Sequence, residues 1–149
     1  MCQILLVEDN PLDVEFIRET LMQFPVSVTL HVARDGAEAL DFLRNDGERQ
    51  GPPRPDLILL DLRLPRRDGF EVLEVIKTHP LDRNIPVVVL TISNEEADAW
   101  RSYHLYANAF ITKPADLQRF TETLHATVEF YCHVTLRPPK QPPQPRAPA

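Results

Sequence analysis

At 149 residues, with 43% hydrophobic and 26% charged side chains, the chain has the length and balance of one ordinary globular domain, able to bury a core without metal or disulfide staples. Its net charge of -6 argues against nonspecific attachment to nucleic acid or anionic membrane, both of which select basic surfaces. No apolar run approaches the ~20 residues of a membrane-spanning helix. The start, MCQILLVEDNP, lacks the basic region and cleavage site of a secretory leader, so a cytoplasmic location is expected.

Gln3 to Val7 is a short apolar run ending in Glu8 and Asp9, the first predicted strand. Asn10-Pro11 breaks it and starts a helix in which Val14, Ile17, Leu21 and Phe24 form a buried stripe, closed by Pro25. Val26 to Ala33 alternates apolar and polar residues, the period of an edge strand with one wetter face. Ala37 to Asn45 follows as a short helix, its stripe placed on Ala37, Leu40 and Asp41 or Arg44. Asp46 to Pro55, rich in glycine and proline, is expected as an exposed loop.

Leu57 to Leu60 is continuously apolar, as in a strand covered on both faces, and delivers the carboxylate of Asp61 to its own carboxyl end. After Gly69, Phe70, Leu73 and Ile76 mark a third helix that ends near His79-Pro80. Ile85 to Leu90 is a strand ending in Thr91. A fourth helix starts at Asn94-Glu95-Glu96 and contains Ala97, Trp100, Tyr103 and Leu105. Ala109 to Ile111 is a minimal fifth strand leading to Thr112-Lys113-Pro114, and Leu117, Phe120, Leu124 and Val128 pattern a last helix from about Ala115 to Tyr131. Prolines stop the chain from continuing that helix, which predicts a folded unit over 1–134 and a disordered, polyproline-like tail over 135–149.

The two cysteines, Cys2 and Cys132, stand near opposite ends and neither belongs to a CxxC. That spacing predicts neither a disulfide framework nor a thiolate metal site. Cys132 and His133 are sequence neighbours, which point apart on a helix and so make no catalytic pair.

Strands alternating with helices predict a parallel sheet with helices on both faces, and a site at the carboxyl edge of the strands. Glu8-Asp9, Asp61, Thr91 and Lys113 all project to that edge. Converging carboxylates repel unless a cation neutralises them. Hard oxygen ligands with room for water and phosphate suit Mg²⁺, so the arrangement points to metal-assisted phosphoryl chemistry. The competing reading is a structural ion network of these acids with Lys113.

The segments ILLVEDN, LILLDLRLPRRDG, VVVLTIS and AFITKP, in this order along residues 3 to 131, resemble the receiver domain of two-component response regulators. The resemblance implies a flavodoxin-like α/β fold, a (βα)5 doubly wound sheet of five parallel strands in the order 2-1-3-4-5. It implies that Asp61 takes a phosphoryl group from a phosphohistidine on a sensor histidine kinase. Asp9, Asp61, the carbonyl of Arg63 and, through water, Glu8 would hold Mg²⁺. Lys113 would pair with a phosphoryl oxygen, Thr91 would donate its hydroxyl, and Phe110 would move with Thr91 as the switch.

Glu8, Leu64, Ile92 and Tyr106 stand where that family often has aspartate, methionine, a small residue and glycine. A narrower resemblance, carried by the DGERQGPPRP insertion, the LRLPRRDGFEVLEVIKTHP segment, the tyrosine-rich fourth helix and the terminal Phe130-Tyr131, is to the single-domain regulators of bacterial phytochromes. It implies a phytochrome-type kinase as partner and a homodimer that uses Phe130 and Tyr131. The expected function is a phosphoacceptor without DNA-binding output, not an enzyme with a separate substrate, with self-catalysed phosphotransfer and autodephosphorylation. The alternatives are a receiver-fold interaction module that is never phosphorylated and, last, a metal-dependent phosphatase, whose general acid would have to stand at Arg63.

Overall fold

The computed structural model describes residues 1–25, 27–44 and 53–148. In chain order these form β1 (Cys2–Val7), α1 (Pro11–Met22), β2 (Val28–Ala33), α2 (Gly36–Arg44), β3 (Leu57–Leu60), α3 (Gly69–Thr78), β4 (Val87–Thr91), α4 (Glu96–His104), β5 (Ala109–Thr112) and α5 (Leu117–Glu129). The strands make one parallel sheet in the order β2-β1-β3-β4-β5, the flavodoxin-like arrangement. Val26 of the predicted second strand, Asn45 of the predicted second helix and loop residues 46–52 lie outside the described residues.

The apolar runs are continuous because alternate strand residues enter different layers. Leu5, Val7, Ile58, Leu60, Val87 and Val89 pack against α2 and α3. Ile4, Leu6, Leu57, Leu59, Val88 and Leu90 pack against α1 and α5. Each fully buried leucine or isoleucine contributes about 1.5–3 kcal/mol, so this double-sided core fixes where the strands end and hence where the polar residues after them stand.

Local chemistry sets the helix starts. Asn10 Oδ1 accepts the Leu12 and Asp13 N–H groups at 3.0 and 3.4 Å, and Pro11 occupies the first turn, where its missing donor is not needed. Asp68 caps α3 and Asp116 caps α5 in the same way, at 3.1 and 2.9 Å.

Three helix faces differ from the periodic expectation. The buried side of α2 is Gly36, Ala39, Leu40 and Leu43, while Asp41 and Arg44 are exposed; charged side chains cannot follow Leu40 into the core. In α4 the buried residue is Ser102, and Ala97, Trp100 and Tyr103 face outward. In α5 the stripe is Phe120, Leu124 and Val128, with Leu117 at the first turn 64% exposed.

The cysteine expectation is overturned. Cys2 and Cys132 form a disulfide with Cα atoms 5.8 Å apart. Their 130-residue separation hid a short spatial distance: β1 begins, and the antiparallel α5 ends, at the same edge of the sheet. A π-helical turn, Phe130–Val134, continues α5 and turns Cys132 into the core beside α1 and β1. Residues 135–148 form neither helix nor strand, and Arg137 pairs with Asp56 at 3.2 Å.

Two backbone positions decide local geometry near the site. A Cβ on Gly69 would lie 2.5 Å from both the Asp61 carbonyl oxygen and the Leu62 Cα, so α3 can approach the end of β3 only through glycine. Tyr106 holds φ at 70°, the left-handed conformation for which the resembling family uses glycine. Because an L side chain there costs about 1–2 kcal/mol, Tyr106→Gly is expected to raise stability by about 0.5–1 kcal/mol after its greater unfolded-state entropy is subtracted. Urea unfolding of the two proteins measures the difference.

Candidate functional site

Glu8 follows β1, Asp61 follows β3, Thr91 ends β4 and Lys113 follows β5, so four neighbouring strands deliver them to the carboxyl edge. The Asp61 N–H is held by the Val7 carbonyl at 3.0 Å, and the Lys113 N–H by the Thr91 carbonyl at 2.7 Å. The sheet ladder therefore positions the backbone of both groups.

Ligating oxygens of Glu8, Asp9 and Asp61 lie within 4.8 Å of one another. Glu8 is buried, Asp61 is 7% exposed and Asp9 is open to solvent. Lys113 Nζ donates to Glu8 Oε2 at 2.7 Å, to Asp13 Oδ2 at 2.8 Å and more weakly to Asp61 Oδ2 at 3.5 Å. Asp13, from the first turn of α1, is the partner that sequence reasoning missed. It falls on the polar side of an otherwise ordinary helix start, and the only signal was its position four residues beyond Asp9.

The electrostatics show an excess of negative charge. Burial, reinforced by the charge of Asp61, pushes the Glu8 carboxyl up to about 7 despite the hydrogen bond from Lys113. Lys113 responds oppositely: burial pulls its pKa down, but hydrogen bonds to Asp13 and Glu8 and the charges of Asp61 and Glu8 hold it above the ordinary lysine value. One lysine leaves part of the carboxylate charge uncompensated. That condition, with only hard oxygen donors, fits a divalent cation.

The remaining predicted residues surround this cluster. Thr91 is fully buried, and its Oγ1 accepts the Ser93 N–H at 3.4 Å. The Arg63 N–H donates to Asp61 Oδ1 at 3.3 Å, while the Arg63 side chain is exposed. Phe110 is half-buried against the layer containing α2 and α3, and its N–H donates to the Tyr103 hydroxyl at 3.1 Å. Phe130 and Tyr131 lie at the opposite edge, with Phe130 49% exposed and Tyr131 packed on the core.

Two depressions flank the cluster. A cleft of ≈ 510 Å³ is lined by Asp9, Leu62, Arg63, Pro65, Phe70 and Ser93 among others, with Arg101 of α4 stacked 4.1 Å over the Phe70 ring. A groove of ≈ 570 Å³ beside Lys113 is lined by Leu12, Asp13, Phe16, Ile92, Pro114 and Leu117 among others. No helix among the described residues is long and apolar enough to cross a membrane.

Comparison with known proteins agrees with this arrangement. Residues 4–125 match the response regulator receiver domain. Response regulator Rcp1 of Synechocystis sp. is 42% identical over 135 residues, covering 91% of this chain and 92% of Rcp1. The crystal structure of Mn²⁺-bound Rcp1 has a TM-score of 0.86 at 40% identity, covering 93% of this chain and all of the other. That of the phosphorylated cyanobacterial phytochrome response regulator RcpA has a TM-score of 0.87 at 43% identity, covering 93% and 99%. With its sheet order, its acidic cluster and these matches, the chain belongs to the response regulator receiver domain family.

Proposed function

We propose that this chain accepts a phosphoryl group on Asp61 from a sensor histidine kinase of the phytochrome type, with Mg²⁺ held by Asp9, Asp61, the Arg63 carbonyl and, through water, Glu8. The observation that carries the reading is the juxtaposition of Glu8, Asp9 and Asp61 within 4.8 Å, with Lys113 bridging Glu8, Asp13 and Asp61 at the carboxyl edge of the sheet. A purely structural ion network has no need of the solvent-open Asp9. A bound Mg²⁺ supplies neutralising charge for incoming phosphate oxygens.

The protein's own groups do the rest. Asp61 offers a carboxylate oxygen as nucleophile and is fixed by the Val7 carbonyl. Lys113 moves from its acidic partners to a phosphoryl oxygen. Thr91 donates its hydroxyl, and the vacated space admits Phe110, which biases the α4–β5 region between two packings. Hydrolysis of the acyl phosphate returns the site to its starting state as autodephosphorylation. The exposed Phe130, with Val134 and Leu136 at 66% and 95% exposure, supports a homodimer through this end; light scattering of Phe130→Ala and Tyr131→Ala checks it, and an unchanged mass removes those residues.

Incubation with a small acyl phosphate and Mg²⁺ is the test. One hydroxylamine-labile phosphoryl group should appear by mass, and chelator should prevent it; no added mass with Mg²⁺ present would leave the interaction-module reading in its place. The kinase's own surface is expected on the groove beside Lys113, where Leu12 and Leu117 are 79% and 64% exposed. Leu117→Glu should lower phosphotransfer from the kinase by about tenfold or more, as a truncated interface anchor does, while labelling by the small donor is unchanged. Equal losses from both donors would place Leu117 outside the docking surface.

A further inference from the structure

We propose that Cys2 and Cys132 form a reversible thiol–disulfide site that fastens the C-terminal extension, residues 130–140, to the amino-terminal edge of the sheet. These are the chain's two cysteines, and both are committed to one bond between the first residue of β1 and the turn after α5. The bond lies at the edge opposite the phosphoryl site. Cys2 begins β1 and Glu8 directly follows it, about 20 Å away at strand rise, so the site is separate from the acidic cluster.

Three features make it reversible and consequential. First, the fold does not depend on it: the layer to which the two cysteines belong holds twelve other buried apolar residues from β1, β3, β4, α1 and α5, and a domain of this size needs no covalent staple. Second, the other fasteners are weak. Arg137 Nη1 reaches Asp56 Oδ2 at 3.2 Å and the Met1 carbonyl at 3.3 Å, and Lys140 Nζ reaches the Arg54 carbonyl at 3.1 Å. The Arg137 side chain is 36% exposed, and Asp56 keeps the Gln3 N–H as a partner at 2.8 Å when Arg137 leaves. Third, both cysteines are buried, Cys2 at 3% and Cys132 at 8% exposure, but Cys132 sits in the terminal π-helical turn, at the end of the helical layer. Opening of the terminal π-helical turn uncovers Cys132 without disturbing the sheet, and terminal turns open at low free energy.

The chemistry balances with a dithiol as reductant. Its thiolate attacks Cys132 Sγ and expels Cys2 as a thiolate, which takes a proton. The second thiol of the reductant then displaces Cys132, closing the reductant to its own disulfide. Two electrons and two protons pass to the protein. Released, the extension withdraws Arg137 from Asp56 and exposes the apolar side of Tyr131 and the start of β1; oxidised, it covers them.

The full chain, purified without reductant, is treated with iodoacetamide before and after incubation with dithiothreitol under native conditions, and hydrogen exchange is followed across residues 130–136. No alkylation is expected before reduction and two carbamidomethyl groups after it, with exchange in this segment accelerated by about tenfold or more while β3 and β4 stay protected. Cys132→Ser and Cys2→Ser should each reproduce the fast exchange without dithiothreitol. Free thiols in the untreated protein, exchange indifferent to reduction, or reduction achieved only in denaturant would each overturn the proposal.

Discussion

Asp61→Asn is expected to abolish phosphoryl acceptance while making the metal-free protein more stable. The amide cannot form an acyl phosphate, so the mass gained with an acyl phosphate and Mg²⁺ should vanish rather than diminish. The stability gain comes from the same cluster. Asp61 is the weakest of the three Lys113 partners, at 3.5 Å, and its charge helps to raise the Glu8 pKa. Removing that charge relieves repulsion and gives up little attraction, worth roughly 0.5–1 kcal/mol or about 1–4 °C for a domain of this size. The variant should also lose most of its stabilisation by Mg²⁺, since fewer carboxylates remain to bind the ion. Melting curves with chelator and with Mg²⁺ check both points, and residual labelling of the variant would move the acceptor away from Asp61.

Lys113→Ala has the second large effect, and pH reveals its origin. Removing the lysine leaves Glu8 buried with its 2.7 Å partner gone, a break that costs about 3–5 kcal/mol when the orphaned charge stays ionised. Protonation of Glu8 limits the damage, so the loss should be smaller at pH 5 than at pH 8. In the unsubstituted chain the Glu8 carboxyl, raised from 4.5 to about 7, already carries a proton in the folded state that the unfolded state has released. Between those values the folded protein binds more protons, and stability falls as pH rises, by at most about 1.4 kcal/mol per pH unit. Urea unfolding in chelator at pH 5 and pH 8 measures both slopes. An equal penalty for Lys113→Ala at the two pH values would show that packing, not charge, is what the lysine provides.

The parallel sheet was legible because strands buried on both faces must be apolar at every position, and Leu57–Leu60 and Val87–Leu90 leave no other reading. The acidic cluster was legible for a related reason: polar residues directly after such strands must emerge at one edge. Asp13 was not, because a helix start commonly carries an acid, and only the reach of Lys113 across the carboxyl edge to the first turn of α1 brings the two together. The disulfide was invisible because linear separation says nothing about which chain ends share an edge. The faces of α2 and α4 went astray because nine residues give periodicity too few turns to fix a register, whereas the thirteen-residue α5 keeps Phe120, Leu124 and Val128 inside and departs only at Leu117, which the groove beside Lys113 lets stay outside.

The two residues assigned to the switch stand on unequal footing. Thr91 belongs to β4, which is hydrogen-bonded on both sides by β3 and β5. Phe110 belongs to β5, an outer strand paired only with β4 and half-buried along most of its length. Disturbing the interior strand breaks two ladders, whereas disturbing the outer one breaks a single ladder and wets little apolar surface. Of these two residues the one on the outer strand is therefore the more compliant, and under the proposed reading Asp61 at the end of the interior β3 can stay rigid while Phe110 yields.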